Sequence, residues 1–87
     1  MLNNVHHAVR REIREVLQEE GQPVPPAELA GDTPITDLGL ESLMFARVIL
    51  RLEQELGVDP FATDAVVADV RTVDDLAGAY ERALAAA

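Results

Sequence analysis

The sequence contains no cysteine, no tryptophan and no lysine, and only 3% of its 87 residues are aromatic. Without cysteine, disulfides, thiol catalysis and cysteine-based zinc sites are excluded. No apolar run approaches the roughly 20 residues that a membrane-spanning helix requires. The first twenty residues are polar and charged, unlike a signal peptide. We therefore expect a cytoplasmic protein.

Positive charge is also scarce, because 16 acidic residues face 7 basic ones and the formal net charge is −9. Nucleic acid is a poor partner for such a surface, since phosphate contacts need a basic footprint. Anionic membranes are disfavoured by the same argument. Two interpretations of the acidity stay open: it steers a basic partner towards the protein, or it only keeps a small protein soluble.

The sequence is rich in aliphatic, helix-forming residues, and apolar types make up 48% of it. Alanine, leucine, glutamate and arginine dominate, and runs of β-branched or aromatic residues are absent, which predicts an all-α protein. A chain of this length forms one domain and buries roughly 60–65% of its unfolded surface. We expect a single domain over residues 1–87, a monomer, and no deep active-site cleft.

A first helix of about four turns is predicted by apolar residues at helical spacing. These residues are Val5, Val9, Ile13, Val16 and Leu17. Asn3 or Asn4 suits the N-cap of this helix, and Gly21 suits the position after its end. His6 and His7 are adjacent and point about 100° apart on a helix, so they cannot share a metal ion. We interpret both as surface histidines.

Residues 21–41 hold four of the five prolines and three of the five glycines. Proline removes backbone donors and restricts its neighbours, so this stretch is predicted to be a loop. Loops of this length are usually functional or flexible. Leu29, Ile35 and Leu38 are spaced as anchors that would hold the loop against the helices.

A second helix is predicted from Ser42 to about Leu56, with Gly57 ending it. Its core stripe comprises Phe45, Val48, Ile49, Leu52 and Leu56. A second apolar group lies on the opposite flank and comprises Leu43, Ala46 and Leu50, bordered by Arg47 and Arg51. A helix that is apolar on two sides is either central in a fold or presents an exposed patch. A small domain cannot easily surround one helix, so we predict that the second group is exposed.

The last third of the chain predicts two more helices. Asp59 and Pro60 suit the start of a short irregular helix within residues 61–68, with Val66, Val67 and Val70 as its packing residues. Thr72 and Asp75 resemble a capping box that begins the last helix. The buried stripe of that helix comprises Val73, Leu76, Ala77, Tyr80 and Leu84. Gly78 within it suggests close helix packing. The sequence pattern thus predicts three main helices, one short helix and a long loop between helices 1 and 2.

The sequence offers no set of catalytic residues. Ser42 has no histidine near it along the chain, and Gly39 stands alone rather than in a phosphate-binding loop. Ser42 itself has two interpretations. It is either an ordinary N-cap or a site of modification, where a phosphate ester would lie at the positive end of the helix dipole. Glu41 could then help a modifying enzyme to hold a metal ion.

The run Asp37-Leu38-Gly39-Leu40-Glu41-Ser42-Leu43 resembles the D-S-L motif of acyl carrier proteins, in which the serine receives 4′-phosphopantetheine. The resemblance extends over nearly the whole chain. It includes the long first helix and loop, the serine-started helix up to residues 55–58, the short helix, and the start of the last helix at residues 72–76. It implies a four-helix bundle that carries intermediates and catalyses nothing itself.

The resemblance also implies cofactor and partners. A phosphopantetheinyl transferase would move the arm from coenzyme A onto Ser42, with Mg²⁺ required only in that reaction. The arm's thiol would hold an acyl or aminoacyl group as a thioester. Further partners would be an acyl- or aminoacyl-loading enzyme and a ketosynthase or other enzymes of a fatty-acid, polyketide or related specialised pathway. Partner-binding residues on the second helix would be Leu43, Ala46, Arg47, Leu50 and Arg51, and the core stripe would line any sheltered space for an acyl chain.

The chain departs from the family pattern at two places. Glu41 replaces the usual aspartate before the serine, which bears on transferase preference. Arg47 and Arg51 stand where fatty-acid carriers tend to be acidic, and residues 42–47 are similar to peptidyl carrier domains of nonribosomal synthesis. Both acyl and aminoacyl cargo therefore stay open. The alternative function is a small helical protein–protein adaptor without a prosthetic group, in which Ser42 is only a helix N-cap.

Overall fold

The computed structural model describes residues 2–62 and 65–87; for residues 2–4 it describes the backbone, and from residue 5 onwards the side chains as well. Three α-helices make up most of it: α1 (Leu2–Glu19), α2 (Ser42–Leu56) and α3 (Val73–Ala86). Three short 3₁₀ turns span Ile35–Leu38, Pro60–Ala62 and Val67–Asp69, and the described ranges contain no named β-strand. The predicted all-α class is confirmed.

The core lies where α1 contacts both α2 and α3. All five residues of the predicted α1 stripe are buried, as are four of the five predicted in α3; Leu84 is exposed. On α2 the buried residues are Met44, Val48 and Leu52. The stripe on α2 is therefore rotated from the predicted one: Met44 is a core residue that the sequence analysis missed, and Phe45, Ile49 and Leu56 are only half-buried. The reason is that α1 packs on the 44–48–52 side of α2.

The long loop is held against the helices at several points. Leu29 and Ile35 are buried and Leu38 packs against the core, which confirms the three predicted anchors. Two arginines of α1 fasten the first half, since Arg10 Nε donates to the Leu29 carbonyl (2.7 Å) and Arg14 Nε donates to the Pro25 carbonyl (2.8 Å). The second half is bonded to the start of α3, where the Ile35 N–H donates to the Arg71 carbonyl (2.8 Å). These bonds fix the path by which the chain enters α2.

The segment between α2 and α3 differs from the prediction. In place of one short helix, the structure has the 3₁₀ turns Pro60–Ala62 and Val67–Asp69; Thr63 and Asp64 lie outside the described residues. Asp59 does cap the first turn, since its Oδ1 accepts a hydrogen bond from the Phe61 N–H (3.1 Å). The expected packing role of Val66 and Val67 is wrong, because these side chains are 56% and 46% exposed. Val70 alone of the three packs against the core, since turns this short present no continuous apolar face.

Helix ends mostly follow the sequence signals. Gly21 and Gly57 adopt the left-handed conformation expected after a helix (φ 71° and 76°), and Thr72 and Asp75 form a complete capping box. α1 begins at Leu2, ahead of Asn3 and Asn4, so neither asparagine is its cap. Close packing at Gly78 is not observed, because an added Cβ would meet only the guanidinium of Arg82, at 3.2 Å. None of the described helices has the length and apolarity needed to cross a membrane.

Candidate functional site

The turn before α2 presents its first residue to solvent. The 3₁₀ turn Ile35–Leu38 ends at Gly39, whose φ of 74° is in the left-handed region that favours glycine. Leu38 and Leu40 pack against the core on either side of Gly39. Glu41 is extended (φ −75°, ψ 168°) and the helix follows at once. The turn thus has two apolar attachments, and the residues after it point away from the core.

Ser42 is the first residue within α2 rather than its cap. The cap position belongs to Glu41, whose carbonyl accepts the first helical hydrogen bond, from the Phe45 N–H (2.8 Å), and no side chain caps this end. The interpretation of Ser42 as an N-cap is therefore wrong. Ser42 is exposed, and no hydrogen bond of its hydroxyl is found within residues 2–62 and 65–87. It is also the only serine in the sequence.

The backbone around Ser42 has free donors. Since the first helical bond is made by Phe45, the three N–H groups of residues 42–44 have no acceptor in the described part of the chain. Such groups, with the positive end of the helix dipole, favour a negative ligand. The chemistry of this end of α2 therefore fits a phosphate ester on the Ser42 hydroxyl.

An apolar patch follows Ser42 along α2, and its predicted exposure is confirmed. Leu43 is 82% exposed, Leu50 is 52% exposed, and Ala46 lies exposed between them. The opposite side of the helix, at Met44, is buried in the core. We call Leu43, Ala46 and Leu50 the α2 patch. Exposed leucines grouped on one helix face are typical of an interaction surface.

The two arginines beside the α2 patch are bonded to α1. Arg51 contacts three carboxylates of α1. Its Nε lies 2.7 Å from Glu12, its Nη2 lies 2.7 Å from Glu15 and its Nη1 lies 2.8 Å from Glu19. Arg47 forms ion pairs with Glu19 and Glu20. This network was not predicted. The spacing of three and four residues places the glutamates on one face of α1, but it does not show which helix that face meets.

This network shifts the pKa values of its members in opposite directions. The hydrogen bond from Arg51 lowers the pKa of Glu19. Burial raises the pKa of Glu12, a hydrogen bond with Glu55 adds to the rise, and the charge of Arg51 opposes it. Arg11 of α1 also forms an ion pair with Glu55 of α2, and its hydrogen bond lowers the pKa of Glu55. Charged side chains thus join α1 and α2, and the charge of Glu12 is the one that is costly to bury.

The histidines lie apart from Ser42. His7 is exposed, as predicted, whereas His6 is half-buried, with Nδ1 3.7 Å from Asp74 and Nε2 3.3 Å from Glu81. Both carboxylates belong to α3, so His6 is oriented towards that helix. No group of three potential metal ligands occurs in the part of the chain that the structure describes.

Two open grooves mark the surface. One, of about 620 Å³, lies between residues 58–70 and α3. The other, of about 580 Å³, lies between α1 and the turn at residues 27–28. Neither is lined by a residue of α2, so the α2 core stripe does not border them as a sheltered space for cargo.

The chain matches a known family. A family model described as "Phosphopantetheine attachment site" matches residues 7–80. The matched range covers most of the chain and includes Ser42, the α2 patch and the starts of α2 and α3. No curated protein and no solved structure matches the sequence significantly.

Proposed function

The chain belongs to the phosphopantetheine attachment site family, and on that premise we propose that Ser42 is the residue that bears the group. Members of this family are non-catalytic carriers with a covalently attached 4′-phosphopantetheine. The proposal rests on the exposure of Ser42 and on the absence of a hydrogen bond to its hydroxyl within the described residues. Ser42 is also the only serine available.

The surroundings of Ser42 support this assignment. Free N–H groups at the start of α2 and the helix dipole favour the phosphodiester over the free hydroxyl. Glu41 places an exposed carboxylate directly before the acceptor, and we propose that it helps the transferase to hold Mg²⁺ during transfer. When attached, the group supplies the thiol that a chain without cysteine lacks, and that thiol holds the cargo as a thioester.

The α2 patch supports a role in partner recognition. We propose that Leu43, Ala46 and Leu50 contact the phosphopantetheinyl transferase, the acyl- or aminoacyl-loading enzyme, and a ketosynthase or other pathway enzyme. Arg47 and Arg51 stay proposed contacts, but their ion pairs with α1 leave less charge to offer a partner. The proposed carrier is a monomeric domain over residues 1–87, serving a fatty-acid, polyketide or related specialised pathway.

Loading with a transferase tests the attachment site. The protein is incubated with coenzyme A, Mg²⁺ and a promiscuous phosphopantetheinyl transferase, and intact mass is followed. Wild type should gain the mass of one 4′-phosphopantetheinyl group, and Ser42→Ala should gain none. Thr36→Ala, which removes a nearby hydroxyl in the loop, is the matched control and should load like wild type. Loading of Ser42→Ala would show that the site is elsewhere.

A further inference from the structure

The charges of α1 are divided between two faces. Glu12, Glu15 and Glu19 form the stripe that meets Arg51 of α2. Arg10 and Arg14 are four residues apart and so share a face. At about 100° per residue, that face lies roughly opposite Glu12 on the helix. A chain with a net charge of −9 thus keeps a basic surface on its first helix, directed at the loop rather than at α2.

Arg10 and Arg14 keep their positive charge uncompensated. Their partners are carbonyl oxygens: Leu29 and His6 accept from Arg10 (2.7 and 3.2 Å), and Pro25 accepts from Arg14 (2.8 Å). Within the described ranges, no carboxylate lies within ion-pair distance of either guanidinium. By contrast, Arg11, Arg47 and Arg51 all form ion pairs. Arg71 and Arg82 form none within the described residues either, but they are exposed and lie outside the groove described next. In so acidic a protein, two half-buried and unpaired arginines side by side indicate a site for an external anion.

These arginines form the wall of the groove of about 580 Å³, together with Arg11, both histidines and the turn at residues 27–28. The carbonyl bonds of Arg10 Nε and Nη1 and of Arg14 Nε fix the guanidiniums, while Arg10 Nη2 and both terminal nitrogens of Arg14 make no hydrogen bond within the described residues. Donors that are already ordered lose little side-chain entropy when they bind. Among the residues that the structure describes, Glu28 is the single carboxylate that lines the groove.

We propose that this groove binds an acidic segment of a partner protein. Carboxylates on such a segment would contact the free N–H groups of Arg10 and Arg14, with His6 and His7 at one end. The groove is open, and all of its lining residues are exposed or half-buried. A small anion would remain largely in water there, unlike ligands of enclosed pockets. Each carboxylate of a longer acidic segment adds to its binding affinity. The acidic remainder of the protein surface repels the segment from other positions.

No residue of α2 lines this groove, so a segment bound there leaves Ser42 and the α2 patch accessible. A partner could hold the protein by α1 while another enzyme contacts α2. This inference does not depend on modification of Ser42.

A titration with a defined probe tests the proposal. The ¹⁵N-labelled protein is titrated at low salt with a peptide of ten glutamates, and NMR shifts are followed, including the Nε–H signals of Arg10 and Arg14. Shifts should concentrate at residues 6–14 and 27–28. Arg10→Gln with Arg14→Gln should weaken binding about tenfold. Arg71→Gln with Arg82→Gln changes the net charge equally and should leave affinity within about twofold, since both arginines lie outside the groove.

A second pair of variants is independent of the loop-fastening bonds. Glu28→Gln removes the groove's carboxylate from an exposed side chain without a partner in the described structure, and should tighten binding about two- to threefold. Asp69→Asn, an equal charge change at another exposed position, should not. The proposal is overturned if both double variants weaken binding alike, if shifts spread over the surface, if no shift occurs at the groove, or if inorganic phosphate binds there as tightly as the peptide.

Discussion

Ser42 and Thr72 both stand at the start of a helix, yet their hydroxyls differ in use. The Thr72 hydroxyl accepts a hydrogen bond from the Asp75 N–H (3.1 Å), while the Asp75 carboxylate accepts from the Thr72 N–H (3.1 Å). Ser42 is one residue further into its helix, and its hydroxyl makes no such bond. The Thr72 hydroxyl stabilises the fold, whereas the Ser42 hydroxyl has no bond within the described residues, which supports its proposed role as the attachment site.

This contrast gives a prediction for stability. Ser42→Ala should change the free energy of unfolding by less than about 0.5 kcal/mol, as expected for a surface site without a bonding role. Thr72→Ala should cost about 1 kcal/mol, because it removes an N-cap. Urea denaturation of both variants makes the comparison. A loss at Ser42→Ala as large as at Thr72→Ala would restore the helix-cap role of Ser42 and the adaptor interpretation that relies on it.

At the residue scale, replacing two of the glycines with alanine should change the stability of the protein in opposite directions. Gly78 lies inside α3 with only the flexible end of Arg82 near an added Cβ, so Gly78→Ala should stabilise the protein by about 0.5–1 kcal/mol. Gly57 has φ of 76°, so Gly57→Ala should destabilise it by about 1 kcal/mol. Thermal and urea unfolding measure both. Destabilisation by Gly78→Ala would show that the helix needs this glycine for packing.

At the scale of elements, the α1–α2 contact combines an apolar seam with the arginine–glutamate network. The five residues of the predicted α1 stripe are all buried, because their period is regular, and only Ala8 of the buried apolar residues described on α1 was missed. The sequence pattern did not predict the rotation of α2 that buries Met44, because Met44, Phe45 and Ile49 are all apolar, and only the position of α1 decides which of them face it. The role of Arg51 was missed for the same reason: ion pairs between helices depend on how the helices pack.

The network predicts a pH dependence of opposite sign for two of its glutamates. Burial raises the folded-state pKa of Glu12 above its ordinary 4.5, so its contribution to stability is present below that value and is lost as pH rises through the folded pKa. Glu12→Gln should therefore gain stability relative to wild type as pH rises from about 4 to 7.

The pKa of Glu19 is lowered by Arg51, so its contribution is present above the ordinary value and is lost as pH falls. Glu19→Gln should lose stability relative to wild type over the same range. Urea unfolding across this pH series measures both differences. Parallel curves for the two variants would contradict the directions assigned to these groups.

The exposed face of α2 predicts that docking can be separated from folding. Leu50→Glu should leave helicity and unfolding unchanged, because Leu50 is 52% exposed, while it slows loading by the transferase several-fold through loss of apolar contact. Val67→Glu adds the same charge at another exposed position and should load normally. Circular dichroism measures the helicity of both variants, and loading kinetics measure how fast the transferase modifies them. A large loss of helicity in Leu50→Glu would show that Leu50 belongs to the core.

For the whole molecule, composition and periodicity were enough to predict the all-α class, the three main helices and the exposed patch. They were not enough for residues 58–70, where the predicted helix is replaced by short turns. Proline, aspartate and three valines there gave no clear period, so local propensity could not decide. The sequence motif located the candidate site, whereas the free state of the Ser42 hydroxyl required the structure.

The division of charge is also a property of the whole molecule. Sixteen acids against seven bases predicted an acidic surface, and Arg47 and Arg51 on α2 were the arginines expected to contact a partner. In the structure, Arg47 and Arg51 of α2 and Arg11 of α1 form ion pairs. Arg10 and Arg14, on the face of α1 that meets the loop, form none within the described residues. A composition cannot reveal this arrangement, because pairing is decided by which faces the fold brings together.

The most direct test of the central claim is to locate the added group by tandem mass spectrometry. After loading with coenzyme A and a transferase, trypsin releases the fragment 15–47, which contains Ser42 and the threonines at 33 and 36. We predict one 4′-phosphopantetheinyl group, on Ser42. A fragment that stays unmodified under conditions that load a known carrier, or a group located on a threonine, would contradict the assignment.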